Sequence, residues 1–246
     1  KKNNNSSNSN SNSNSNSNSS KNSTPGGSNT PATPADPNAK PVERAAFERL
    51  LIALNIEGVD EFTAEYLADA LTDWLDKDSM IASSGGAEDS DYSGKEFPYL
   101  AANHYIATVS ELRMIEHFTP EIINKLKEYV CVIPNSNLHK ININTIQEEH
   151  SVLLEALLDV SASDASDIMS ERDENGFKKV DDFLALPNVV DKSLTKEQKQ
   201  QFVVDSEYFK LKTIASFNNS FVNLNSIFWI SQDKRIQVIA RSIGRE

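Results

Sequence analysis

Residues 209–240, FKLKTIASFNNSFVNLNSIFWISQDKRIQVIA, change the rhythm of the chain. Phe209, Leu211, Thr213, Ala215 and Phe217 alternate with polar residues, Asn218-Asn219-Ser220 interrupts, and residues 221–230 resume the run. A polar break at 231–234 precedes Ile236, Val238 and Ala240, again at every second position. Side chains alternate between the two faces of a strand, so from about residue 202 the pattern reads as an antiparallel three-stranded meander. Three strands rarely hold alone, which calls for a helix packed on them. The sequence shows no spare long helix for that task, and it opens within a repeat, so the chain reads as a fragment whose covering helix precedes Lys1.

Upstream of the meander the period is helical. Phe47, Leu50, Leu51 and Leu54 recur on one helix face after Pro41. A second stripe, Tyr66, Leu67, Ala70, Leu71, Trp74 and Leu75, follows Thr63 in an N-cap position and puts Trp74 inward. After the aromatic turn Phe97-Pro98-Tyr99, Thr108 and Glu111 stand in capping-box spacing. Thr119-Pro120-Glu121 supplies an N-cap, a proline at the first helical position and a first-turn acid. Ile122, Ile123, Leu126, Tyr129 and Val130 then share one face, and Pro134 closes the segment.

A second helical group starts with the brief alternation of Ile141 and Ile143. Thr145 and Glu148 repeat the capping-box spacing, and Leu153, Leu154, Leu157 and Leu158 form a stripe. Residues 164–172 and 180–186 give further short helices around Gly176-Phe177. The expectation is an α+β chain with a low-complexity segment at 1–40, a first helical subdomain at 41–134, a second at 135–200 and a β-meander at 201–246. The first segment is almost entirely Asn, Ser, Thr, Pro and Gly, with strict Ser-Asn alternation from Ser7 to Ser19. That composition buries too little apolar surface to offset ordering entropy, so it reads as disordered.

The net charge is −12. Lys1, Lys2, Lys21 and Lys40 against Asp36 give the first forty residues +3, which leaves 20 basic against 35 acidic residues, or −15, for the rest. Nucleic acid needs basic surface to displace its counterions, so cations or basic protein patches are the expected partners. Cys131 is the one cysteine, set in an apolar run, and reads as a buried thiol. No apolar run is long enough to span a membrane, and no signal peptide opens the chain.

Residues 71–93, LTDWLDKDSMIASSGGAEDSDYS, crowd six acids into one stretch: Asp73, Asp76, Asp78, Glu88, Asp89 and Asp91. Asp73 and Asp76 stand at a helix C-terminus, where the macrodipole disfavours carboxylates by about 0.3–1 kcal/mol each. Broken local rules tend to mark sites. Calcium prefers six to eight oxygen ligands, and such a loop can wrap it, with Gly85 and Gly86 turning Glu88, Asp89 and Asp91 back toward Asp76 and Asp78. The EF-hand pattern fails: with Asp76 first, Ile81 stands where Gly is required and Ala87 where the bidentate Glu belongs. The alternatives are a solvated acidic loop, a different hard cation, or a catalytic carboxylate pair as in a glycosidase. His104, His117, His139 and His150 are scattered without zinc spacing, and neither a Gly-x-Ser-x-Gly elbow nor a phosphate-binding glycine loop is present.

The ordered string ALTDWLDKDS, GGAEDSDYS, FPYLAAN, ATVSELRMIEHFTPEIINKLKEYVCVIP, KININT and GFKKVDDFL resembles the large minor pseudopilin of the bacterial type II secretion system, the GspK type. SEYFKLKTIAS and RIQVIARSIG resemble that family's closing strands. The resemblance implies a pilin-like antiparallel sheet against a long N-terminal helix, with an inserted helical region of two sterile-alpha-motif-like, helix-hairpin-helix-like subdomains. It implies calcium near the acidic loop, with Asp76, Asp78, Glu88, Asp89 and Asp91 as metal ligands and Asp73 nearby. It further implies GspI-type and GspJ-type pseudopilin partners, a non-enzymatic role at the pseudopilus tip with secreted cargo within reach, and a periplasmic location anchored in the inner membrane. The rival resemblance is to a helix-hairpin-helix DNA-binding module, but its glycine hairpin is replaced here by Leu158-Asp159-Val160-Ser161-Ala162-Ser163.

Overall fold

The computed structural model describes residues 40–218 and 220–244, so the expected disordered segment lies, up to residue 39, outside the described residues. The described chain is mixed α and β, with helices up to residue 200 and the long strands after it. Its helices are α1 Val42–Ala53, α2 Glu61–Leu75, α3 Asp89–Ser93, α4 Pro120–Leu126, α5 Val152–Leu158, α6 Ala162–Ser170, α7 Val180–Leu184, α8 Pro187–Val190 and α9 Lys196–Gln200. A short parallel pair joins β1 Ile141–Asn142 to β2 Phe202–Val203. The meander is an antiparallel sheet of β3 Tyr208–Phe217, β4 Ser220–Ile230 and β5 Ile236–Ile243, in that order.

Two apolar cores organise the helices. Leu51, Leu67, Trp74, Tyr92 and Leu126 centre the first, and Leu154, Leu157, Ile168, Phe183 and Phe202 the second. Each fully buried side chain of this size contributes about 1.5–3 kcal/mol. The cores meet where α1 packs on α5: Leu50 and Leu51 face the first core, Ala46 faces the second, and Arg49 Nε donates to the Ala156 carbonyl at 2.6 Å.

Several local readings change in the folded chain. Asp60, not Thr63, caps α2, accepting the Thr63 amide at 2.8 Å. The Thr108 and Thr145 boxes do not form. Residues Val109–Met114 and Glu148–His150 are 3-10 turns, Glu111 accepts from Trp74 Nε1 at 3.1 Å, and the Thr145 hydroxyl donates to the Asn142 carbonyl. Ser161 caps α6 in a box with Asp164. Cys131 is exposed, because α4 ends at Leu126 and the apolar run after it continues as irregular backbone. Among the described residues no helix is long and apolar enough to cross a membrane.

One face of the meander carries Phe209, Leu211 and Phe217 on β3 and Ile236, Val238 and Ile243 on β5. All six are exposed, Phe217 and Ile243 to 79%. Phe209, Phe228 and Val238 align across the three strands on that face.

Candidate metal centre

Asp69, Asp73 and Asp76 recur at i, i+4 and i+7, one face of α2 running into its C-cap. Asp69 and Asp73 on this face are buried. Asp69 has a cation: Arg44 Nη2 donates to Oδ1 at 2.5 Å, and the Gly85 amide donates to Oδ2 at 3.1 Å. Burial pushes the Asp69 carboxyl up, but the hydrogen-bonded Arg44 guanidinium and Gly85 amide help to outweigh it and hold the group below the usual 3.8. Asp73 has no such neighbour. The Ala82 amide donates to Oδ1 at a long 3.4 Å, and Oδ2 has no hydrogen-bond partner. Burial holds the Asp73 carboxyl above its usual range, the Ala82 amide offsets part of this, and the Asp76 and Asp69 charges add to it.

The chain leaves α2 through two turns built by its own acids. The Asp76 Oδ1 accepts the Asp78 amide at 3.3 Å, and the Asp78 Oδ1 accepts the Met80 amide at 2.9 Å. It returns through Gly85 and Gly86, which are demanded by close approach. A Cβ at Gly86 would stand 2.0 Å from Asp73 Oδ2, and one at Gly85 would stand 2.5 Å from the Tyr66 Cα. Ala87 then enters the first core and Glu88 starts α3. Glu88 is 2% exposed, and neither of its carboxylate oxygens has a hydrogen-bond partner. Burial, then the charges of Asp73 and Asp76, hold its carboxyl above the usual range.

Asp76, Asp78 and Glu88 each present an oxygen within 4.8 Å of the others. Oxygens on one calcium at about 2.3–2.6 Å can stand at most about 5 Å apart, so the three fit one ion. Buried carboxylates are paired or coordinate metal, and Glu88 is unpaired. The donor set, all oxygen, suits a hard cation. Of the five acids expected as ligands, the fold brings together Asp76, Asp78 and Glu88. Asp89 and Asp91 are turned to the backbone: Asp89 Oδ1 accepts the Ala101 amide at 2.9 Å, and Asp91 Oδ2 accepts the Glu88 amide at 3.0 Å.

The sequence pattern did not single out Asp69, although its i−4 spacing from Asp73 on an otherwise apolar stripe was the available signal. His117 also takes part, with Nε2 3.1 Å from the Gly85 carbonyl, while the His104 and His150 rings pack on Tyr105 and Tyr129. In the α5–α6 hairpin the Val160 amide is bound to the Glu155 carbonyl and the Ser161 amide faces Asp164 Oδ2. These groups are therefore already used where a DNA-binding hairpin presents free amides.

Two family models described as "Type II secretion system (T2SS), protein K" match residues 15–135 and 141–205. The chain belongs to the type II secretion system protein K family. Curated members include the protein of Aeromonas hydrophila, 34% identical over 213 residues, covering 85% of this chain and 62% of that protein. The protein of Dickeya chrysanthemi is 31% identical over 206 residues, covering 83% and 55%. The chain thus spans less than two thirds of the length of these family relatives. Among solved structures it is similar to a chain in the crystal structure of the GspK-GspI-GspJ complex from the enterotoxigenic Escherichia coli type 2 secretion system. The TM-score is 0.74 at 30% identity, over 86% of this chain and 74% of that one.

Proposed function

We propose that this chain is a minor pseudopilin that joins GspI-type and GspJ-type pseudopilins at the tip of the periplasmic pseudopilus, with calcium at Asp76, Asp78 and Glu88 ordering its acidic loop. The observation that supports the assembly reading is its backbone likeness to a chain solved within a GspK-GspI-GspJ complex. The protein then acts by shape and contact rather than by catalysis, in a bacterial envelope, anchored to the inner membrane by the N-terminal helix of that fold. In this reading β3, β4 and β5 are the pilin-like sheet, and their exposed apolar face receives that helix. Residues 41–134 and 135–200 are the two inserted helical subdomains, the second of them SAM-like. The bulky head obstructs further subunits above it, which fits the tip, where it meets secreted cargo.

Calcium bound there would supply two positive charges, and the carboxylates of the acidic loop would supply oxygen ligands to it. Glu88 and Asp73 carry the buried charge that those positive charges would balance, and Asp76 and Asp78 close the site from the end of α2. An ion that binds only the folded form stabilises it by about 1.4 kcal/mol at ten times Kd and about 2.7 kcal/mol at a hundred times. Thermal unfolding in chelator, millimolar calcium and millimolar magnesium tests the site. Calcium is expected to raise the midpoint by several degrees, magnesium less, and Asp76→Ala/Asp78→Ala is expected to remove the response. Co-elution with GspI-type and GspJ-type partners tests the assembly reading separately. No complex with either partner, in calcium or in chelator, sinks it.

A further inference from the structure

The turn that delivers Glu88 is gripped at one residue, Gly85. The Gly85 amide donates to Asp69 Oδ2 and the Gly85 carbonyl accepts from His117 Nε2, each at 3.1 Å, while the Tyr66 backbone and ring fill the space beside its Cα. Each grip is itself braced. Asp69 is bound to Arg44, which also donates through Nε to Glu48 at 2.8 Å, so the grip reaches back to α1. His117 packs its ring against Tyr66 at 5.8 Å and holds φ 69°, a left-handed backbone that a residue with a Cβ keeps only where its surroundings fix it. Neither Asp69 nor His117 belongs to the group of converging oxygens.

We infer that Asp69 and His117 are positioning residues for cation binding: they hold Gly85 through the two peptide groups that flank its Cα, Asp69 at the amide and His117 at the carbonyl, and so set Glu88 against Asp76 and Asp78. The inference rests on the calcium reading of that cluster. Its logic is geometric. Only Gly86 and Ala87 separate the clamped Gly85 from Glu88, Gly86 lies against Asp73, and Ala87 is buried, so a displacement at Gly85 has little slack before it reaches the carboxylate. Outer groups that orient metal ligands commonly change affinity by about 10–100-fold when removed.

The test is calcium titration of the whole chain by calorimetry, with the unfolding midpoint in chelator measured for every variant. His117→Ala and Asp69→Ala remove the two grips. His117→Gln keeps a donor for the Gly85 carbonyl, and Asp69→Asn keeps an acceptor for its amide. The alanine variants are expected to bind calcium about 10–100-fold more weakly than the parent, and the conservative variants to recover most of that loss. Asp78→Ala, a ligand control, loses binding outright. His117 is exposed, so its two variants remain readable even where Asp69→Ala unfolds. Unchanged affinity in His117→Ala overturns the inference, as does an equal loss in His117→Ala and His117→Gln. A parent chain that binds no calcium removes the cation reading itself, and the positioning role with it.

Discussion

Asp69 and Asp73 lie one turn apart on α2, both buried, and only Asp69 has a cation beside it. That difference sets opposite expectations for neighbouring acids. The depressed pKa of Asp69 means that its contribution is present above the unfolded value near 3.8 and is lost as pH falls through the lower folded value. The stability gap between the parent and Asp69→Asn, measured by urea unfolding in chelator, should therefore be open at pH 7 and close on acidification below about pH 4. Glu88 behaves in the other sense, because without an ion its charge is buried beside Asp73 and Asp76. Glu88→Gln should raise the unfolding midpoint in chelator and abolish the calcium response, so that the two proteins exchange order when calcium is added. A lower midpoint in both conditions would mean that the carboxylate is satisfied without a metal. Asp73 and Glu88 were legible in the sequence as members of the acidic run, whereas Asp69 was not singled out. Their burial was not legible, since only the fold shows that the α2 face carrying Asp69 and Asp73 turns into the loop, and that Arg44 reaches one of them from another helix.

At the scale of elements, α3 is the part that the sequence pattern misjudged. Five residues long, it reads as a run of charge, yet it inserts Tyr92 into the first core, edge-on to Trp74 at 5.1 Å, and burial pushes the Tyr92 hydroxyl up to about 12. Asp89 and Asp91 serve this short helix by binding the Ala101 and Glu88 amides. Asp91→Ala should therefore cost about 0.5–2 kcal/mol of stability in chelator, the usual range for a lost cap, while calcium still raises the midpoint. Loss of the calcium response without loss of chelated stability would instead make Asp91 a ligand. The capping boxes at Thr108 and Thr145 misled for a related reason. A box is a local signal, and Glu111 divides its carboxylate between the Ala107 amide, one residue before the expected cap, and the indole of Trp74, 37 residues away. Where signals agreed across levels, as at Thr119-Pro120, the helix start was legible and the Thr119 hydroxyl accepts the Ile122 amide at 3.3 Å.

Over the whole molecule, charge is segregated. Residues 41–205 hold 14 basic and 32 acidic residues, a balance of −18, whereas residues 206–246 hold six basic and three acidic, a balance of +3. The meander was the most legible element, because the two-residue period fixes strand pairing and face together. The same pattern carries the apolar face whose row Phe209, Phe228 and Val238 crosses all three strands. A contiguous apolar surface of this kind marks a place where another surface sits. If it is open in this chain, a dye that reports exposed apolar surface should bind there while the protein remains folded. Leu211→Thr/Phe217→Thr/Val238→Thr keeps residues suited to strands at exposed positions, so each change should alter stability by no more than about 0.5 kcal/mol. The triple variant should lose most of the anilinonaphthalene sulfonate fluorescence of the parent, with far-ultraviolet circular dichroism unchanged and less self-association in sedimentation. Dye fluorescence equal to that of the parent would place the exposed apolar surface elsewhere, on the opposite sheet face around Ile214 and Phe221 or around Phe62 and Phe97, and would remove the argument that this sheet face awaits a helix.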